Sequence, residues 1–279
     1  MHHTLWRPGA VAALAFTLLA CSDPGQSLDT IAPTVTAATA ATTTADPPTT
    51  TTTATTKAPS TTADEGVDGS TTVLLPSTAV PTATTLALAN GPWTVVDSIP
   101  EVTEPGLYYE LSLPGLYAYF PTKVSPDDRV FWTMNEADRP IIEAYLNAQL
   151  TINQSMLTRP MDFNLAGWNL YFEDGGAGLK EVLEPRSADG LALNVDLGIV
   201  MRPWVIDDGR TETEANVIDC VNNGAILQRT DGSLSPTSSR GWITNDYAAS
   251  MVLIDGSWKM RFLGTWEDAC TLFGPSYAF

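Results

Sequence analysis

The chain has 279 residues, 44% of them hydrophobic, and a formal net charge of −18 at pH 7. A surface this acidic repels nucleic acid and anionic lipid headgroups, so we expect no nucleic-acid partner. The acidic surface either favours basic partners or is simply well solvated. The two histidines, His2 and His3, lie at the N-terminus. A mature chain that loses them has no imidazole for Ser-His or Cys-His nucleophiles, for acid–base catalysis or for most zinc sites.

Residues 1–20 have the pattern of a secretory signal peptide. Arg7 gives a positive start, and the apolar run from Ala10 to Ala20 is too short to span a bilayer. The run ends in LLAC, which resembles the bacterial lipobox. The resemblance implies cleavage before Cys21 and attachment of acyl chains, including palmitate, to its sulfur and new N-terminus. Such chains would hold the exported protein on the outer face of the cytoplasmic membrane. The alternative is an ordinary signal peptide with a chance cysteine.

Residues 21–92 are predicted to form a disordered tether. No Phe, Trp or Tyr occurs from Ser22 to Pro92, and Thr, Ala, Pro and Ser dominate. Such a stretch buries too little apolar surface to offset its ordering entropy. Its threonine density is compatible with O-glycosylation.

Residues 93–135 form an aromatic N-terminal extension in which PGLYYELSL at Pro105 is echoed by PGLYAYFPT at Pro114. Each Pro-Gly pair marks a turn that precedes a short aromatic run. The tyrosines serve either as a binding surface or in packing against the following domain.

The segment RPIIEAYLNAQLTINQSM predicts the clearest helix, with Asn135 or Asp138 as the cap, Pro140 in the first turn and Pro160 beyond its end. A short helix is expected within Leu165–Phe172, and a third around Leu179, Val182 and Leu183 that stops near Pro185 or Gly190. The apolar residues of the first helix fall on one face: Ile141, Tyr145, Ala148, Ile152 and Met156.

After Gly190 the hydrophobic period changes to two, which predicts strands. Asp255-Gly256 predicts a tight hairpin, after which Trp258, Met260, Phe262, Gly264 and Trp266 would share one buried face. Helices followed by an antiparallel meander indicate an α+β domain over 136–279, in which a curved sheet packs against N-terminal helices. The predicted strands are Leu191–Val200, Glu214–Val221, Gly224–Arg229, Gly241–Ile254 and Ser257–Glu267.

Two cysteines remain if Cys21 is lipidated. Cys220 and Cys270 in an oxidising compartment are most simply a disulfide. Two sulfurs without histidine fall short of the usual four-ligand zinc site, so we expect no metal and no cofactor. A carboxylate-only calcium or magnesium site stays open, although no Asp-rich calcium loop occurs.

Four motifs together resemble exported bacterial lipoproteins of the nuclear transport factor two-like superfamily: IIEAY, the strand ending at Asp219-Cys220, DGSWKM from Asp255, and WEDAC ending at Cys270. The likeness covers about residues 136–272. It implies the cone-shaped α+β fold that ketosteroid isomerases and polyketide cyclases share, with a cavity between sheet and helices, and a structural disulfide between the two cysteines. Members of this superfamily include both enzymes and proteins that only bind or assemble, so the fold does not fix the chemistry.

The resemblance also suggests residues that would lie in such a cone. A carboxylate at Asp219, on the same strand face as Val217 and Ala215, would have a raised pKa and could act as a base; otherwise it meets water at a strand end. The aromatic candidates line a ligand pocket or pack in the core. The candidates besides Asp219 are Tyr145, Tyr247, Asp196, Trp204, Trp242 and Trp258.

The leading hypothesis is a lipid-anchored cell-envelope module that binds an envelope protein or a small apolar ligand without catalysis. The alternative is a small-molecule isomerase or cyclase-like enzyme with Asp219 as base. A third hypothesis is a homodimeric structural module, which light scattering of residues 91–279 would detect.

Overall fold

The computed structural model describes residues 87–89, 91–123, 125–129, 134–274, 277 and 279. The predicted signal peptide, Cys21 and the tether up to residue 86 lie outside the described residues. Within the described ranges, no helix combines the length and apolarity needed to cross a membrane.

The described residues form nine strands and four helices. The strands are β1 (Trp93–Val96), β2 (Gly106–Leu111), β3 (Leu116–Pro121), β4 (Ala192–Asn194), β5 (Ile199–Ile206), β6 (Glu214–Asn223), β7 (Ile226–Gln228), β8 (Ile243–Ile254) and β9 (Ser257–Thr265). The helices are α1 (Arg139–Met156), α2 (Gly167–Tyr171), α3 (Ala177–Ala188) and α4 (Ala269–Leu272), with a 3-10 turn at Glu173–Gly176.

Seven strands form one sheet in the order β1-β2-β3-β5-β6-β8-β9, and β4 pairs with β7 in a separate ribbon. All neighbours in the large sheet are antiparallel except β3 and β5, which are parallel because α1–α3 carry the chain across between them. The predicted α+β class is confirmed, with a sheet that is mixed rather than purely antiparallel. Residues 93–135, which the sequence set apart as an extension, supply β1–β3 of this same sheet.

Helix α1 begins and ends where its apolar period predicted. Its predicted apolar face is buried throughout, since Tyr145, Ile152 and Met156 are each 0% exposed. Asp138 stands at the N-cap position without a side-chain cap bond. The Asn135 side chain instead accepts a hydrogen bond from the backbone N–H of Asp138 at 3.1 Å. Asn135, the other predicted cap residue, therefore stabilises the turn before the helix.

The predicted strand Leu191–Val200 is two strands in the structure. Gly198, with φ +97°, makes a turn in which its N–H donates to the Val195 carbonyl at 2.8 Å. Strand β5 then continues to Ile206 through Pro203, a residue that normally argues against a central strand. Proline is tolerated because the parallel register with β3 ends two residues earlier, at Ala118–Met201.

The predicted buried face of β9 is wrong beyond Met260. Met260 pairs with Met251 and Phe262 with Ser250, which leaves Arg261 as an extra residue in a β-bulge. The extra residue shifts the alternation by one position. Phe262 is therefore 47% exposed, whereas Leu263 is 5% exposed and lies in the core.

The main core lies between α1 and one face of the large sheet, which we call the inner face. The opposite, outer face carries two smaller apolar clusters. One joins Ile218 and Cys220 of β6 to Cys270 and Tyr277. The other joins Tyr119 and Val200 to residues 99 and 102 of the loop between β1 and β2. The sheet is therefore covered on both faces around β5 and β6.

Candidate functional site

Asp219 lies in the centre of the inner face and is 0% exposed. The alternation that grouped it with Val217 and Ala215 is confirmed, because these neighbours lie in the main core beneath α1. The Tyr145 hydroxyl of α1 donates a hydrogen bond to Asp219 Oδ2 at 2.7 Å. Two of the residues that the sequence nominated therefore form one buried pair, although they are 74 positions apart.

The second oxygen of Asp219 binds the backbone. The Arg202 N–H donates to Asp219 Oδ1 at 2.7 Å. Backbone groups along β5 face its two neighbours alternately. The Ile199 N–H donates to the Gly115 carbonyl on the β3 side, so the Arg202 N–H faces β6, where Arg202 is the cross-strand partner of Cys220. A buried N–H without an acceptor is costly. Asp219 thus completes the backbone hydrogen bonding of the sheet.

Burial dominates the electrostatics of the pair. It raises the pKa of Asp219 to about 7, against a partial lowering by the Tyr145 hydrogen bond, the Arg202 N–H and the Arg202 guanidinium. Burial, followed by the charge of Asp219, also raises the pKa of Tyr145 well above its ordinary value. Tyr145 therefore keeps its proton as a donor, while the carboxyl group changes protonation state near neutral pH.

The polar network continues through both faces of the sheet. On the inner face, Gln149 Nε2 donates to the Tyr145 hydroxyl at 2.8 Å. On the outer face, the Tyr277 hydroxyl accepts the Cys220 N–H at 3.2 Å and donates to the Arg202 carbonyl at 3.0 Å. Asp219 and Cys220, adjacent on β6, thus connect the helix on one side with the C-terminal segment on the other.

Arg202 is a buried cation on the outer face, 2% exposed. Its guanidinium lies 4.4 Å from the ring centroid of Tyr119 and 4.4 Å from that of Phe279. Such stacking stabilises a desolvated guanidinium through the negative faces of the rings. Burial still lowers the pKa of Arg202 from its ordinary value.

Cys220 and Cys270 are joined by a disulfide with an S–S distance of 2.03 Å, which links β6 to α4. The Asp246 carboxylate accepts the Cys270 N–H at 2.6 Å. One oxygen of Asp246 and the two sulfurs lie within 4.8 Å of one another. Because the two sulfurs are bonded to each other, neither is a thiolate that could bind a metal.

The remaining nominated residues divide between the faces. Tyr247 is the cross-strand neighbour of Asp219 on β8, and Trp258 packs against the same main core. Trp204 and Trp242 lie in the two separate outer clusters. Asp196 is exposed in the turn before Gly198, where its carboxylate accepts the side-chain amide of Asn194 at 3.0 Å.

Two small cavities lie along α1, each with a volume of about 10 Å³. One is lined by Asp138 and Trp204 near the start of α1. The other is lined by Gln149, Asn153 and Tyr247 between α1 and the inner face. A volume of this size is enough for about one water molecule.

Sequence reasoning did not nominate Arg202, Tyr277, Gln149 or Asn153. A sequence signal for Arg202 exists, because IVMRPWVI places a charge and a proline within an otherwise apolar run. The sequence carries no such signal for Tyr277, since its contacts depend on the path of the chain after Cys270. Gln149 and Asn153 are ordinary residues for a helix. Only their burial distinguishes them, since their exposed fractions are 6% and 2%.

Fold and site together define a disulfide-linked α+β protein with a mixed seven-stranded sheet and a buried Asp-Tyr pair. No family model matches the chain, and no curated protein matches it. The structure is similar to the intermembrane space region of the chloroplast protein ARC6, with a TM-score of 0.32 and 15% identity over 46% of this chain and 94% of that chain. A likeness of this size carries no argument about fold family or function.

Proposed function

We propose that the chain is an exported, lipid-anchored cell-envelope protein whose folded domain binds an envelope protein or a small apolar ligand without catalysis. The observation that carries the non-catalytic part is the state of Asp219, the strongest candidate for a base. It has no exposed surface, and both of its oxygens accept hydrogen bonds within the protein. A general base must come within hydrogen-bond reach of the substrate proton, which this packing prevents.

The finer description of the fold is part of the same proposal. We regard the sheet and α1 as a cone-like domain of the nuclear transport factor two-like kind. The inner face packed against α1 supports this description. The bulge at Arg261 supports it too, because a bulge is a feature that bends strands.

Membrane anchoring is supported by LLAC at residues 18–21 and by the disulfide, which is typical of proteins outside the cytoplasm. We expect Cys21→Ser to move the protein from the membrane fraction to the soluble fraction and to abolish labelling by a palmitate analogue. Cys270→Ser is the matched control, because it removes a cysteine without touching the lipobox, and it should keep the label. An unlabelled wild-type chain would overturn the anchoring proposal.

Binding is tested separately from anchoring. The purified chain should retain a defined protein or hydrophobic ligand from envelope extracts, identified by mass spectrometry and confirmed by titration with the isolated partner. No saturable binding by the correctly folded, disulfide-bonded chain would refute the binding proposal and leave the anchoring result untouched.

The second candidate is an isomerase or cyclase-like enzyme, favoured by the pKa of about 7 at Asp219 beside the Tyr145 hydroxyl. A base near its working pH is efficient, but access to it requires α1 to move from the sheet. Asp219→Asn would then abolish turnover of a ketosteroid substrate, whereas Asp196→Asn, at an exposed turn, would not. Absence of turnover by the wild-type chain excludes this candidate for that substrate class.

A further inference from the structure

We propose that the core binds one ordered water molecule between α1 and the inner face of the sheet, where it donates a hydrogen bond to Asn153 Oδ1. Asn153 lies on α1 and is 2% exposed. Its Nδ2 donates to the Gln149 carbonyl at 2.8 Å, while Oδ1 is buried and accepts no hydrogen bond from the described residues. Buried acceptors in folded proteins are nearly always paired, with protein or with water.

Reversing the amide does not remove the unpaired acceptor. A reversed side chain would bring Oδ1 against the Gln149 carbonyl, so that two acceptors would face each other, and would leave Nδ2 as a buried donor instead. The bond to Gln149 therefore fixes the orientation of Asn153. The missing partner must be a donor that comes from outside the side chain.

The space for that donor is the cavity that Asn153 lines. The cavity is about 10 Å³, and its other polar lining residues are Gln149 and Tyr247. Its apolar walls include Ile199 and Val221. A single water molecule needs about this volume and two to four polar partners, so the site suits water and is too small for an organic ligand.

The water would also extend the network at Asp219. Gln149 already donates one amide N–H to the Tyr145 hydroxyl, which in turn donates to Asp219. A water between Gln149 and Asn153 would link two side chains one helical turn apart and join Asn153 to this chain of bonds. The polar residues on the buried side of α1 would then form one satisfied network rather than a pair and an isolated amide.

The first test counts long-lived internal waters by oxygen-17 magnetic relaxation dispersion on the full chain. Asn153→Leu, which keeps the side-chain shape and removes the acceptor, should lose one such water. Asn147→Leu is the matched control: it has the same bond to a carbonyl four residues back, from Nδ2 to Glu143 O at 2.8 Å, but it is half-buried. It should keep the wild-type count. An unchanged count in Asn153→Leu overturns the proposal.

The second test needs no variant and decides the matter if Asn153→Leu does not fold. A crystal structure of the wild-type chain should show a density peak within hydrogen-bond distance of Asn153 Oδ1 and of Gln149 or Tyr247. An empty site in well-ordered density, or a protein donor on Oδ1, overturns the proposal.

Discussion

Replacing Asp219 by asparagine should change how the stability of this protein depends on pH. The folded protein holds the Asp219 proton with a pKa of about 7, whereas the ordinary value is 3.8. Between these values the folded protein binds more protons than the unfolded chain, so the free energy of unfolding falls as pH rises through this window. The contribution is fully present below pH 3.8 and is lost above about pH 7. An asparagine side chain does not titrate, so the Asp219→Asn variant lacks this contribution.

The magnitude follows from the size of the pKa shift. The whole window corresponds to about 4 kcal/mol, because each pKa unit is worth about 1.4 kcal/mol. Between pH 5 and pH 8 the wild type should lose about 3 kcal/mol through Asp219 alone. The asparagine retains an acceptor for the Arg202 N–H, so it resembles the protonated wild-type side chain.

The assay is urea unfolding followed by tryptophan fluorescence at pH 5, 6, 7 and 8, with the disulfide intact. Seven of the eight tryptophans lie beyond the predicted signal peptide and give a strong signal. The quantity of interest is the wild-type minus variant difference at each pH, because other titrating groups, including Asp246, cancel in it. Asp196→Asn, at an exposed position, controls for the loss of one negative charge.

The reasoning predicts that this difference falls by about 3 kcal/mol from pH 5 to pH 8 and that the Asp196 control shows no such trend. Parallel curves for wild type and Asp219→Asn, within the error of extrapolation, would refute it. They would mean that Asp219 is solvated or paired in solution in a way that the buried geometry excludes.

Three further changes test other parts of the structure. Joint replacement of Cys220 and Cys270 by alanine should lower the free energy of unfolding by about 4 kcal/mol, because the disulfide closes a loop across a separation of 50 residues; a loss below about 1 kcal/mol in guanidinium unfolding would contradict this. Tyr145→Phe should cost about 1–3 kcal/mol and raise the pKa of Asp219 further, since the hydroxyl hydrogen bond lowers that pKa; the pH at which stability falls would move upward in the same urea series. Arg261→Ala should cost at most about 1 kcal/mol in thermal unfolding, although it removes ion pairs to two glutamates, because its side chain is 41% exposed; a larger loss would show that the bulge itself depends on them.

Local patterns were enough to predict several elements. The four-three-four-four spacing of apolar positions located α1, and Pro160 marked the region of its end. Asp255-Gly256 fixed the β8–β9 hairpin, in which both residues have positive φ, 50° and 77°. These features depend on residues a few positions apart, so the sequence carries them directly.

Other features depend on residues that are distant in the chain. The extension 93–135 reads as aromatic turns, but its strands enter the large sheet because β3 pairs with β5, which follows only after the three helices. Phe262 lies on the opposite face of the sheet from the one predicted, because Arg261 is an extra residue in the pairing of β9 with β8. The hydrophobic period of a segment does not predict either feature, because both depend on which strand pairs with that segment.

By itself the sequence determined the acidic composition, the α+β class and the strand face that Asp219 shares with Val217 and Ala215. Only the tertiary structure decided that Tyr145 meets Asp219, that Arg202 supplies the second hydrogen bond and that the nominated tryptophans lie on opposite faces of the sheet. The physical reason is that strand alternation sets which side a residue faces, whereas its partners depend on the packing of α1 and the C-terminal segment against the two faces.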